Sequence, residues 1–186
     1  LLCAMEMTGV KKLLFNSTAA IYGEPEYSPI DENHPLRTLN PYGNTKLIIE
    51  NILKDIFNNY KDWSILSLRY FNPIGSHPSF LIGDDPLIKK SANLMPAIIR
   101  VVKGIENSVE IFGNDYNTHD GSGIRDYIHI SDLAEIHYLA VEYLLQGGCT
   151  NTLNCGYGRG FSVLEVIEKV KEISGNNFNV INKSRR

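Results

Sequence analysis

The sequence predicts an α/β fold built on a mostly parallel sheet. Three observations carry that expectation. Short apolar runs alternate with amphipathic helical segments, which is the rhythm of strand-helix-strand units. The first two of those runs stop abruptly, one on small polar residues and the other at Asn72-Pro73. Helix starts carry recognisable signals, such as Pro41 and the Ser162/Glu165 pair.

The elements follow in order. Lys11 to Ser17 (KKLLFNS) reads as a buried strand. Residues 25–41 hold four prolines and read as loop. A helix begins at Pro41, since proline suits the first helical turn. Leu47, Ile48, Ile52, Leu53 and Ile56 then recur at roughly helical spacing. Trp63 to Phe71 (WSILSLRYF) reads as a second buried strand. Ser76 to Ala92 reads as a long polar loop, Leu94 to Lys103 as a helix stopped by Gly104, and Val109 to Phe112 as a short strand. Asn114 to Gly123 is turn-rich, and Arg125 to Ile130 alternates like a strand. Ser131 is expected to cap a helix running to about Leu145, and Thr152 to Cys155 to form a strand. Ser162 and Glu165 have the spacing of a capping box for a helix ending at Gly175, followed by a last strand, Phe178 to Ile181.

Composition bounds the function. The chain has 186 residues, 43% hydrophobic and 21% charged, enough to bury a sizeable core. Its formal net charge is -3, with no basic or acidic block, so neither nucleic acid nor an anionic membrane is implied. Cys3, Cys149 and Cys155 cannot all pair within one chain and lack metal-type spacing, so reduced structural thiols in a cytoplasmic protein are expected. His119, His129 and His137 form no metal-ligand set, and His129 and His137 read as structural. The chain starts at Leu1 and ends on Arg185-Arg186, and both ends read as truncated.

The chemistry centres on Tyr42 and Lys46, one helical turn apart and therefore on one face. A phenol ionises near pH 10, so a tyrosine works as a base near neutrality only where positive charge favours its phenolate. A lysine one turn away supplies such a charge. Taken alone this spacing is usually a solvated helix pair. Its context is stronger. Thr18 stands just past the first strand, where ligands of open α/β sheets bind. A hydroxyl there can donate and accept hydrogen bonds to a substrate hydroxyl.

The runs FNSTAAIYG (15–23), PYGNTK (41–46) and LRYFNPIG (68–75) resemble the extended short-chain dehydrogenase/reductase family. NLMP (93–96), FGNDY (112–116) and DGSGIRDYIH (120–129) narrow the resemblance to its nucleotide-sugar epimerases. The resemblance covers essentially the whole chain. It implies a truncated Rossmann-type doubly wound parallel sheet with a smaller α/β substrate-binding lobe. Residues 1–75 would be the C-terminal part of an NAD-binding Rossmann domain. Residues 76–186 would be mainly the UDP-sugar-binding lobe, with some segments returning to the Rossmann domain.

The implied activity is NAD-dependent epimerisation of UDP-glucose and UDP-galactose at C4 through a 4-keto intermediate. Epimerisation of N-acetylated UDP-hexoses, and a catalytically inactive nucleotide-sugar-binding fragment, stand as alternatives. By position, the resemblance makes Tyr42 the acid/base, Lys46 its tuning partner and ribose ligand, and Thr18 the hydroxyl partner. Asn16 and Phe71 would line the cofactor. Asn72, Asn93, Leu94, Glu110, Phe112, Arg125, Val163 and Arg186 would contact the UDP-sugar, the two arginines at the diphosphate. A homodimer is implied. The family's dehydratases carry Asp-Glu directly after the hydroxyl residue. Ala19 and Ala20 stand there in this sequence and cannot transfer protons, which favours epimerisation over dehydration.

Residues 156–161 (GYGRGF) imitate a dinucleotide fingerprint but place Phe161 where the third glycine belongs, so a tight turn before a capped helix is expected. The glycine-rich NAD loop is expected N-terminal to Leu1, and the residue gating sugar size beyond Arg186. Half a sheet leaves an edge and part of a core open, so low stability in isolation is expected.

Overall fold

The structure is a computed structural model and describes residues 1–83, 85 and 93–185. The chain divides into two compact units, Leu1–Pro73 with Ser131–Gly158, and Ile74–Ile130 with Arg159–Arg186.

The first unit holds α1 (Leu2–Thr8), β1 (Lys12–Thr18), α2 (Pro41–Asn59), β2 (Ser64–Tyr70) and the start of the short strand β3 (Asn72–Ile74). In the second lie α3 (Leu94–Val102), β4 (Ser108–Phe112) and β5 (Ile124–His129). The chain then returns to the first unit through α4 (Ile130–Leu145) and β6 (Asn151–Cys155). It finishes in the second with β7 (Gly160–Ser162), α5 (Val163–Ser174) and β8 (Asn179–Lys183).

In the first unit β1, β2 and β6 form a parallel sheet with β2 central, Leu14 facing Leu66 and Leu66 facing Asn151. Burial follows from that place: Ile65, Leu66 and Leu68 of the central strand are all essentially buried. Each such side chain contributes about 1.5–3 kcal/mol on leaving water. Met5, Leu53, Trp63 and Ile65 make a core under the sheet, joined by Phe15 and Ile56. Helix α2 opens as its sequence requires: Pro41 sits in the first turn and the Asn40 side chain accepts from Gly43 N at 2.7 Å.

A buried ion pair ties α2 to the sheet. Glu50 on α2 takes two hydrogen bonds from Arg69 on β2, at 2.7 and 3.1 Å, and both side chains are under 10% exposed. Ser17 on β1 also donates to Glu50. Arg69 donates to the Tyr22 hydroxyl at 2.8 Å, and Tyr22 to Asn154 Oδ1 on β6 at 2.6 Å. Burial works against the charge on Arg69, yet the Glu50 and Tyr22 bonds hold its pKa above the ordinary arginine value.

In the second unit β4 and β8 pair in parallel, and β5 and β7 antiparallel. Ile98, Val101, Val109, Ile111 and Ile167 are its core, drawn from α3, β4 and α5. The expected capping box is complete: Ser162 Oγ accepts from Glu165 N at 3.0 Å, and Glu165 accepts from Ser162 N at 2.6 Å. Helix α5 ends on Gly175, left-handed at φ 67°. Asp120 fastens the turn-rich loop to this helix start, accepting from Ser122 N and from the Ser162 hydroxyl. Burial pushes its pKa up, but those bonds outweigh burial and lower it.

The sheet is mostly parallel, as the alternation predicts. Ser131 departs from expectation: α4 begins at Ile130, so Ser131 lies in the first turn rather than ahead of it as a cap. Strand β5 runs directly into α4 with no intervening loop, leaving no residue for a separate cap. The helix α1 and the strands β3 and β7 are additions, all too short for a periodic signal. Of the expected loop at 76–92, residues 76–83 and 85 form neither helix nor strand, and 84 and 86–92 lie outside those described. Among the described residues no helix is long and apolar enough to cross a membrane, and no cluster of three side chains is set to bind a metal ion.

Two measurements probe this architecture. Arg69→Met leaves the Glu50 carboxylate buried without its partner and costs about 3–5 kcal/mol of stability, read from the urea midpoint, whereas Glu50→Leu with Arg69→Met recovers most of that loss. A double variant as unstable as the single would refute this account. Separately, burial pushes the Cys155 thiol up to about 11. At pH 8 the folded protein is expected to alkylate at the exposed Cys3 and Cys149 while Cys155 reacts only after denaturation, as mass spectrometry of the three sites reports.

Candidate active site

The Tyr42–Lys46 face stands at the carboxyl end of the first unit's parallel sheet. Tyr42 occupies the first turn of α2 and is 56% exposed, open to a reacting molecule. Lys46, one turn further, donates from Nζ to the backbone carbonyl of Asn16 at 2.8 Å. Its ammonium lies 5.2 Å from the Phe15 ring centre and 5.9 Å from that of Tyr42. An ammonium has three donors, so one is committed to the strand while others remain to serve a ligand. The third member of this stripe is Glu50, whose ion pair with Arg69 anchors it.

Thr18 ends β1 and is buried. Its hydroxyl oxygen accepts from Ala20 N at 3.2 Å and so caps the short 3-10 turn Ala19–Ile21. Ala19 and Ala20 are therefore the first residues of a tight turn directly beyond the strand. Gly43 packs α2 against that turn: a Cβ there would meet the Ala20 carbonyl oxygen at 2.7 Å. Strand end, turn and helix start are thus in close backbone contact.

A second cluster adjoins the Lys46 seat. The Tyr70 hydroxyl, at the end of β2, lies 2.5 Å from His137 Nε2 on α4, and Asn16 Oδ1 lies 3.3 Å from the same nitrogen. Burial, with smaller contributions from the charges of Cys155 and Tyr42, holds the Tyr70 phenol far above its ordinary range, so it stays protonated. Phe71 follows, its backbone N–H donating to Cys155 O at 3.1 Å.

Within the first unit, then, Asn16, Lys46 and Tyr42 meet around one strand end, with Thr18 at the tip of the same strand and Phe71 just past the next. Asn72 is exposed in β3. The remaining expected ligand residues lie in the second unit. Asn93 precedes α3 and Leu94 begins it. Leu94 and Val163 both pack on the Ile98–Ile167 core, so any ligand contact they make comes from the part facing away from it. Glu110 and Phe112 lie along β4, with Glu110 3.5 Å from Lys183 Nζ. Arg125 is exposed on β5, with Nη1 donating to Ile124 O at 2.6 Å. Arg186 is outside the described residues. Residues 156–159 form a turn between β6 and β7, with Gly158 at φ 68°, and Gly160 and Phe161 already belong to β7.

Sequence reasoning passed over Glu50, Arg69 and Tyr70, and read His137 only as structural. Glu50 carried a signal, standing one further turn along from Tyr42 and Lys46. The other three are brought in by sheet register and by α4, which no local pattern announces.

A parallel sheet with a Tyr–Lys helix at its carboxyl edge and a hydroxyl residue at the neighbouring strand end makes a scaffold of Rossmann type. The chain belongs to the NAD dependent epimerase/dehydratase family, whose sequence profile matches residues 1–156. It is 49% identical over 176 residues to a UDP-glucose 4-epimerase of Bacillus subtilis (strain 168), covering 94% of this chain and 52% of that protein. Its identity to the Homo sapiens UDP-glucose 4-epimerase is 45% over 177 residues, covering 94% and 50%. Among solved structures it is similar to the UDP-glucose-4-epimerase of Stenotrophomonas maltophila with bound NAD and formylated UDP-arabinopyranose, with TM-score 0.94 and 43% identity, covering 100% of this chain and 55% of that one. The Bifidobacterium longum UDP-glucose 4-epimerase in complex with NAD+ and UDP matches with TM-score 0.92 and 42% identity, covering 100% and 55%. The chain spans about half the length of the curated relatives it matches.

The tight seat of α2 gives a test of opposite sign to helix propensity. Gly→Ala inside a helix ordinarily stabilises by about 1 kcal/mol. Here Gly43→Ala drives a methyl into the Ala20 carbonyl and is expected to cost about 1–3 kcal/mol in chemical denaturation; a gain in stability would disprove the packing.

Proposed function

We propose that the whole protein interconverts UDP-glucose and UDP-galactose by inverting C4. The observation that carries this is the Tyr42–Lys46 face with its ammonium seated on the Asn16 carbonyl, in a chain nearly half identical to UDP-glucose 4-epimerases. The family implies NAD, and the donor set fits it. Lys46 keeps N–H donors for ribose hydroxyls beyond its bond to Asn16, and Asn16, Thr18 and Phe71 frame the strand ends where a dinucleotide lies in such sheets. NAD, when bound, supplies the acceptor that takes hydride from C4 and returns it.

The residues divide the remaining work. Tyr42, as phenolate, takes the proton of the sugar 4-hydroxyl and gives it back when the opposite face of C4 is reduced. Lys46 favours the phenolate and holds the ribose. The Thr18 oxygen already accepts from Ala20 N, so its O–H is the part available to orient the 4-oxygen. Ala19 and Ala20 offer no acid or base to expel water from a 4-keto sugar, which supports epimerisation over dehydration. Asn72, Asn93, Leu94, Glu110, Phe112, Arg125 and Val163 are assigned to the UDP-sugar, with Arg186, and Arg125 to its diphosphate. Ile48 and Ile52 on α2 are about half exposed, an apolar stripe consistent with pairing to a second copy.

Turnover of UDP-galactose to UDP-glucose by the whole protein, without added reductant, tests the reading. Tyr42→Phe is expected to lower kcat by about 10²–10⁴-fold. Thr18→Ser is expected to keep most activity and Thr18→Val to lose it. Full activity in Tyr42→Phe would remove the assigned acid/base, and turnover confined to UDP-N-acetylglucosamine would move the substrate to the N-acetylated class.

A further inference from the structure

His137 stands apart from every residue assigned above, yet its ring joins the two strand ends that carry the site. Its Nδ1 lies 2.7 Å from the Leu133 carbonyl, one turn back on α4. A carbonyl only accepts, so Nδ1 carries the hydrogen and the neutral ring presents a lone pair at Nε2. Opposite that lone pair, at 2.5 Å, is the Tyr70 hydroxyl, which burial keeps protonated and which therefore donates. The Asn16 amide reaches the same nitrogen at 3.3 Å, and meets the lone pair through its NH2 group when its two terminal atoms exchange places. The rings of Tyr70 and His137 also stack at a tilt, with centres 5.4 Å apart. Asn16 is the residue whose backbone carbonyl seats the Lys46 ammonium at 2.8 Å.

We propose that His137 is a positioning residue. Its ring, oriented by Leu133, clamps Tyr70 and the Asn16 side chain, and thereby holds the Asn16 carbonyl where it places the Lys46 ammonium one turn from Tyr42. The inference rests on the reading of Tyr42 and Lys46 as the reacting pair. His137 touches neither substrate nor reacting atoms in this scheme; it sets the direction of the charge that favours the Tyr42 phenolate. Misplacing that charge slows the chemical step while leaving groups that grip the UDP moiety untouched, because those lie elsewhere in the chain.

Two arms test it, both on the whole protein. Long-range proton–nitrogen NMR of the His137 imidazole is expected to show the neutral tautomer protonated at Nδ1, the less common form of a free imidazole, with an Nε2 signal that changes in Tyr70→Phe. A ring protonated at Nε2 overturns the proposal, since Tyr70 could not donate to it. In kinetics, Tyr70→Phe and His137→Leu are expected to lower kcat about tenfold, with KM for UDP-galactose within about twofold of the parent. His137→Gln, whose amide oxygen can accept from both the Tyr70 hydroxyl and the Asn16 amide, is expected to restore most of kcat. Unchanged kcat in both deletion variants, or a loss that merely follows the folded fraction in a thermal melt, also overturns it. A parent protein inactive on UDP-hexoses would overturn the functional reading instead, and the tautomer would then decide the geometry alone.

Discussion

The Glu50–Arg69 ion pair fixes α2 on the sheet, and the candidate site depends on that fixing. Tyr42, Lys46 and Glu50 follow at one-turn intervals and share a face. At the inner end of this stripe, Glu50 accepts both Arg69 nitrogens and the Ser17 hydroxyl. A buried ion pair is weak evidence for net stability, because losing water costs each charge heavily. Its value here is geometric. A bidentate pair with added bonds from Ser17 and Tyr22 admits one rotation and one register of the helix, and an apolar substitute would tolerate several. The outer end of the stripe then has no freedom to wander, although Tyr42 itself is exposed.

The same logic explains why so much of the site is backbone. The Lys46 ammonium sits on a peptide carbonyl, the Thr18 hydroxyl takes a peptide N–H, and Gly43 brings a helix within contact of the Ala20 carbonyl. Backbone groups at the end of a hydrogen-bonded strand move little, so they hold charges in place at small cost in entropy. The side chains left over are a phenol, an ammonium with further donors, and a hydroxyl. Ala19 and Ala20 extend the argument by what they cannot do, since a turn built from them adds no second proton donor near the strand end.

Legibility in the sequence followed the range of the forces involved. Strand β1, helix α2, strand β2 and the α5 capping box were readable because their signals are local: apolar runs, Pro41, and Ser162 before Glu165. Tyr42 and Lys46 were readable because a helix converts spacing into proximity. Their context came from Thr18 and the motif runs around it. The partners of Glu50 and His137 were not readable. Arg69 faces Ser17 only through the parallel register of β1 and β2, and Tyr70 meets His137 only through the packing of α4 within the first unit. Ser131 failed as a cap because α4 had already begun at Ile130.

Register also accounts for the order in which polar groups appear along β2. Ser67 and Arg69 are buried beside Ile65, Leu66 and Leu68, a placement no apolar pattern would select. A strand flanked on both sides by parallel neighbours has its backbone satisfied, so its side chains alone decide what the interior tolerates. Arg69 is tolerated because Glu50 and Tyr22 answer it, and Tyr70 because His137 does. Successive strand residues point to opposite faces, so these adjacent side chains serve different helices: Arg69 binds α2 and Tyr70 meets α4. One strand end therefore ties both helices to the place where Lys46 and Asn16 meet, and the Tyr42–Lys46 face inherits its geometry from either side of the sheet.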